Sequence, residues 1–182
     1  MIEIPFIMFE SVFTLVWILC RAAVRVRRKR IDRKREAQLL ALWAYLAALL
    51  RAAFFPRALS AGRVRPLPFD ASAVLPLRIN LIPFVRLADY GFRRDLLLNV
   101  AGNVAMFIPS GILLPLLDRR LDRFRKAVGA GALISLGIEL LQLPFFTRTT
   151  DVDDLIQNTL GAALGFGIFA LARKLTRRRT PR

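Results

Sequence analysis

The sequence has no histidine, and its only cysteine, Cys20, sits inside an apolar run. These two scarcities exclude much chemistry. Zinc sites built from Cys and His need several such ligands in one chain. Ser-His triads and Cys-His nucleophiles need a histidine base. An intrachain disulfide needs a second cysteine. Acidic residues are also few: 13 Asp+Glu stand against 29 Lys+Arg, a net charge of +16.

What is plentiful is apolar. Of 182 residues, 55% are hydrophobic, and the mean hydropathy is +0.46. A soluble domain is about 45–50% apolar and interleaves those residues with polar ones. Here they come in blocks separated by Arg clusters, the pattern of a polytopic membrane protein. High basicity by itself points to nucleic acid or to an anionic membrane surface. A soluble nucleic-acid binder has no use for uncharged stretches near spanning length. The Arg runs are therefore read as contacts for membrane lipids, and no nucleic-acid partner is expected. The length fits a single membrane domain over residues 1–182.

Five apolar blocks predict an all-α bundle of about five transmembrane helices, at residues 4–20, 37–55, 96–117, 127–146 and 155–172. Several are short for a ~30 Å hydrocarbon core at 1.5 Å rise per residue. The first block is read as a retained helix, because its positive charges follow it and no small-residue cleavage site is clear. Residues 21–36 hold nine Lys/Arg, residues 118–126 five and residues 173–182 six. Five spans place these segments on one side, and short basic loops stay cytoplasmic. The expected topology has the N-terminus outside and the C-terminus cytoplasmic. Residues 1–55 then form two helices with a basic cytoplasmic loop at 21–36. Residues 56–95 form a long outer loop, 96–172 a three-helix core and 173–182 a basic cytoplasmic tail. Within the outer loop, residues 77–85 are too apolar for a free loop and too few to span. An interfacial or re-entrant segment is expected there.

Laid over this topology, the polar residues gather at one depth. Asn99 and Asn103 sit one turn apart at the outer end of the third span. Glu139 and Gln142 sit near the outer end of the fourth, while Asp151, Asp154 and Asn158 step by three and four into the fifth. Such spacings put side chains on one helix face. An ionisable residue inside a membrane costs about 2.5–3.5 kcal/mol on insertion scales, so each must face a partner or water. Glu139 needs a counter-charge or is protonated. Arg51 and Arg148 are the basic residues on that side.

The predicted feature is an outward-facing polar pocket lined by Asn99, Asn103, Glu139, Gln142, Arg148, Asp154 and Asn158. Arg148 offers its guanidinium fork to a phosphate or carboxylate. Glu139 and Asp154 are the candidates for acid–base work. Two plainer readings stand beside it. The amides can serve as interhelical hydrogen-bond glue, and Asp151 and Asp153 can simply cap a helix. The carboxylates suit Mg²⁺ or Ca²⁺ in type, but no known metal-loop spacing is present; no metal and no cofactor is expected. Gly161 and Gly165 form a small-xxx-small pair for helix packing, on the face of Asp154 and Asn158. Gly129, Gly131 and Gly137 are expected to do the same in the fourth span. Pro109 and Gly111 predict a kink halfway along the third.

The ordered set Asn80-Leu81-Ile82-Pro83-Phe84, Asn99-Val100-Ala101-Gly102-Asn103, Phe107-Ile108-Pro109-Ser110-Gly111 and Glu139-Leu140-Leu141-Gln142 continues with Arg148, Asp151, Asp154, Asn158, Gly161 and Gly165. This set, over about residues 77–167, resembles the VanZ-like membrane protein family. The resemblance implies a multi-pass protein of the bacterial cytoplasmic membrane and a cell-envelope context. The family's name-giving member is associated with resistance to teicoplanin, with little effect on vancomycin. No particular reaction is implied, and whether the chain is an enzyme stays open. Glycopeptides act on lipid-linked precursors at the outer face, where the polar cluster is also expected. The pocket is therefore expected to engage a lipid-linked cell-wall precursor or a lipoglycopeptide. Its rivals are a membrane enzyme modifying such a precursor and an accessory structural or interaction protein.

Overall fold

The computed structural model describes residues 2–26, 32–55, 64–74, 79–83, 94–145 and 150–179. Among these residues five long helices form: α1 (Phe6–Val26), α2 (Arg33–Phe54), α3 (Arg94–Leu117), α4 (Phe124–Gln142) and α5 (Val152–Arg179). Four short strands accompany them: β1 (Ile2–Ile4), β2 (Leu67–Phe69), β3 (Ile79–Asn80) and β4 (Thr150–Asp151). In hydrocarbon every backbone N–H and C=O must be satisfied within the protein, and a helix does this inside one segment. α1, α2, Leu96–Leu117 of α3 and Val152–Thr176 of α5 are long and apolar enough to cross a membrane. α4 has 19 residues and carries Arg125, Lys126 and Glu139. The chain is a helical membrane protein.

The described residues fall into two compact units. The first comprises Met1–Leu77 with Gln142–Arg148, the second Arg78–Leu141 with Thr149–Arg182. In the first unit β1 pairs antiparallel with β2, setting Ile2 opposite Phe69 and Ile4 opposite Leu67. Aromatic rings fill its centre. The Phe54 ring lies 5.0 Å from Phe9 and 5.5 Å from Phe145, centroid to centroid. The guanidinium of Arg51 donates to the Phe55 carbonyl at 2.9 Å and lies 4.9 Å from the Phe6 ring centroid. Asp32 caps α2, accepting from the backbone N–H of Lys34 at 2.9 Å.

In the second unit α3 and α5 run parallel, and α4 runs antiparallel to α5. Glycine sets the first contact. A Cβ on Gly161 would strike the Val104 carbonyl, one on Gly165 the Ile108 carbonyl, and one on Gly111 the backbone of Ala162 and Phe166. Backbones this close are the product of small residues at a helix interface. Gly111 thus serves contact as well as the Pro109 region, and α3 continues through Pro109 and Pro115 to Leu117. Buried Ser110 donates to the Phe107 carbonyl at 2.6 Å.

On α4 only part of the expected glycine surface packs. Gly131 lies against the Ala162 side chain, whereas a Cβ on Gly129 or Gly137 would meet no described heavy atom within 4 Å. The reason is direction: Gly131 turns toward α5 and the other two turn away. At one end of the unit, Arg173 of α5 forms an ion pair with Asp122, which lies between α3 and α4. At the opposite end β3 pairs in parallel with β4, setting Ile79 opposite Thr150 and Asn80 opposite Asp151.

Candidate functional site

The candidate site is that second end, where α3 and α5 begin and α4 finishes. Asp151 immediately precedes α5. Its Oδ1 accepts from the backbone N–H of Asp153 at 3.0 Å. A side-chain acceptor at this position satisfies an orphan amide, and its charge suits the positive end of the helix. The same carboxylate accepts from Asn80 Nδ2 at 3.2 and 3.3 Å. Asn80 in turn folds its own chain, accepting from the Ile82 N–H at 3.2 Å.

The end of α4 is tied to the same knot. The backbone N–H of Asp151 donates to Glu139 Oε2 at 3.2 Å, and Thr150 Oγ1 donates to the Glu139 carbonyl at 2.9 Å. That carbonyl belongs to the last turn of α4, where no intrahelical donor remains. Glu139, Asp151 and Asp153 are only 4%, 8% and 5% exposed. Buried carboxylates accept hydrogen bonds and offer none while ionised, so backbone amides and the Asn80 amide are the donor types these carboxylates require.

Two further contacts lie beside it. Asn103 Nδ2 of α3 donates to Asp154 Oδ1 at 2.6 Å and to Gln157 Oε1 at 3.0 Å. Asn158 Nδ2 donates to Ser135 Oγ of α4 at 2.9 Å, and its Oδ1 is buried with no hydrogen-bond partner among the described residues. The polar stripe of α5 therefore divides. Asp154 and Gln157 turn to α3, while Asn158 turns to α4. Steps of three and four do not return to quite the same angle on a helix, and a stripe of that width meets both neighbours of a helix wedged between them.

Four of the expected residues thus lie at this end of the second unit: Asn103, Glu139, Asp154 and Asn158. Asn99, one turn earlier on α3, is exposed and does not join the hydrogen-bonded set. Gln142, the last residue of α4, is buried in the first unit, where it donates to the Ala53 carbonyl at 2.9 Å near the end of α2. Arg148 lies outside the described residues. Arg51 directs its charge to Phe55 and Phe6 within the first unit.

Sequence reasoning missed Asn80, Thr150, Ser135 and Gln157 as members. Gln157 follows Asp154 by three and Ser135 precedes Glu139 by four, so helical spacing was a usable signal for both. Asn80 and Asp151 are 71 positions apart, and no local pattern announces their pairing. Among the described residues, no group of three or more His, Cys, Asp or Glu is arranged to hold a metal ion.

A family model described as VanZ/LLP1 matches residues 42–173. Protein VanZ of Enterococcus faecium is 33% identical over 96 residues, which cover 53% of this chain and 55% of that protein. The chain thus spans about half the length of the curated relative that it matches. No solved structure matches the chain. With well over half its length inside the family model, including every element of the candidate site described in α3, α4 and α5, the chain belongs to the VanZ/LLP1 family.

Proposed function

We propose that this protein crosses the bacterial cytoplasmic membrane five times and binds a lipid-linked cell-envelope component, or a lipoglycopeptide of the teicoplanin type, on its outer face. Binding there contributes to teicoplanin-type resistance. One observation carries the reading. Buried Glu139, Asp151 and Asp153 gather with Asn103 and Asp154 at one end of α3, α4 and α5, while Asp122 and Arg173 mark the other end.

The charge supports the orientation. The Asp122–Arg173 pair puts the basic segment at 118–126 and the basic tail at the same end of the unit. Short basic segments stay in the cytoplasm. The polar end then faces outward, with the N-terminus outside and the C-terminus inside. A carboxylate-rich site suits ligands bearing ammonium, amide N–H or sugar hydroxyl donors. Peptide- and sugar-bearing envelope precursors offer all three. In this reading Asp154 and Asn103 orient the ligand, Glu139 supplies charge, and Arg148 meets an anionic group.

An enzymatic reading has its own support, because Glu139 and Asp151 are both buried and the backbone N–H of Asp151 donates to Glu139 Oε2. Such a pair can divide acid and base roles. It predicts a modified precursor as product, which a binder never yields.

The test is drug susceptibility of a Gram-positive host expressing the protein. Wild type, Glu139→Gln and Asp154→Asn are compared at matched membrane abundance, with teicoplanin and vancomycin. The expected result is teicoplanin-selective protection by the wild type and its loss in both variants. Equal protection by all three would remove the polar end from the function.

A further inference from the structure

The first unit holds an open groove of about 440 Å³ between α1 and α2. Its walls include Trp17, Ile18 and Leu40, and Arg21, Arg25 and Glu36 stand at one end. The volume falls within the ~300–1,000 Å³ of small-molecule sites. Along α1 the lining runs from Thr14 to Arg25. At 1.5 Å per residue that is about 16 Å. This is half of a ~30 Å hydrocarbon core, the depth of one leaflet. α1 buries no residue within the protein. Its apolar walls stay open, with Ile18 55% and Leu40 62% exposed, and in a bilayer the neighbours of an exposed face of a spanning helix are acyl chains.

The charge at the groove's end selects among them. Glu36 receives Arg21 at 2.5 Å and Arg25 at 3.5 Å, and the Arg25 side chain is 56% exposed. Two guanidinium groups thus share one carboxylate, leaving one positive charge in excess. Arg25, the looser partner, keeps donors for another anion. A guanidinium fork matches phosphate oxygens. A groove one leaflet long in all, apolar over the ~10 Å before Arg21 and ending in an excess of Arg, is complementary to a lipid with an anionic headgroup.

We propose that the α1–α2 groove is a binding site for one anionic phospholipid, its acyl chain against Ile18 and Leu40 and its phosphate at Arg25. This rests on the first unit alone and is independent of the function proposed above. The test uses the full-length chain purified in detergent, equilibrated with phosphatidylglycerol and phosphatidylcholine of identical acyl chains and analysed by native mass spectrometry. Wild type should retain one phosphatidylglycerol in preference to phosphatidylcholine. Arg25→Gln should lower that preference about fivefold, the share of one Arg near an anionic surface. Leu40→Trp, which adds bulk inside the trough, should expel both lipids while the charges stay. Equal retention of the two lipids by wild type would overturn the proposal, even if a variant failed to fold. Unchanged lipid retention in both folded variants would overturn it too. A Leu40→Trp variant that alters only the oligomeric state would assign the groove to a second copy of the chain, with the same consequence.

Discussion

The backbone N–H of Asp151 lies 3.2 Å from Glu139 Oε2, so the residue that caps α5 also holds the carboxylate near the end of α4. Its side chain meanwhile takes the amide of Asn80. One residue thus joins three chain segments at the candidate site. Glu139 and Asp151 are buried polar groups in one hydrogen-bonded set, which is what makes the corner costly to disturb.

Asp151→Ala should therefore destabilise the protein, while Asp151→Asn should do so much less. Alanine removes the cap, worth about 1 kcal/mol, and also strands the Asn80 amide. Asparagine keeps a capping oxygen. For a chain of this size each kcal/mol moves the midpoint by about 2–4 °C. Detergent melting curves should show Asp151→Ala at least that far below wild type and Asp151→Asn between the two. An alanine variant that melts with wild type would mean the cap contributes nothing.

The glycines make a contrasting pair of predictions. Gly161→Val and Gly165→Val force side chains into the Val104 and Ile108 carbonyls of α3. The backbone cannot yield there without separating the helices, so both variants should lose the monodisperse peak in size-exclusion chromatography. Gly129→Ala meets open space. It should be neutral or stabilising by up to ~1 kcal/mol, through helix propensity. Equal behaviour of the three variants would contradict the parallel α3–α5 contact.

Asn103 and Asp154 should be energetically coupled, and Asn103 and Ser135 should not. The first pair shares a 2.6 Å hydrogen bond between α3 and α5, and Ser135 bonds Asn158 on the other side of α5. Side-chain hydrogen bonds between membrane helices average ~0.6 kcal/mol with a maximum near ~1.7. A double-mutant cycle with Asn103→Ala and Asp154→Ala should fall in that range. The cycle with Ser135→Ala should be additive within about 0.5 kcal/mol. Coupling of equal size in both cycles would refute the division of the α5 polar stripe.

The helices were legible in the sequence because apolar blocks mark them, though their ends were not. The expected second block started at residue 37, while α2 begins at Arg33 behind the Asp32 cap. The fifth was expected to finish at residue 172, while α5 continues to Arg179. Hydropathy reports where hydrocarbon contact stops; a helix stops where its backbone finds another partner. The gathering of Asn103, Glu139, Asp154 and Asn158 toward one end was legible from spacing along each helix. The neighbour each one meets was not, since Asn103 reaches Asp154 across 51 positions. Gln142 shows the same limit, because its amide is taken by Ala53, 89 positions away.

Orientation can be read with single cysteines in a Cys20→Ser background, since Cys20 is exposed and would otherwise react. Ile82→Cys precedes α3, Arg120→Cys follows it, and Leu175→Cys lies near the end of α5, all at exposed positions. A membrane-impermeant maleimide applied to intact spheroplasts should label position 82 and spare 120 and 175 until the membrane is opened. With α5 crossing, as its length and apolar composition allow, protection of 120 and 175 together requires that α4 cross as well, because a single crossing between them would separate the two. It would make α4 a span despite Arg125, Lys126 and Glu139, with Glu139 sheltered by Asp151 and Thr150. The reverse pattern, with 120 and 175 labelled first, would turn the carboxylate end to the cytoplasm, and an outward site for an envelope ligand would have to be abandoned.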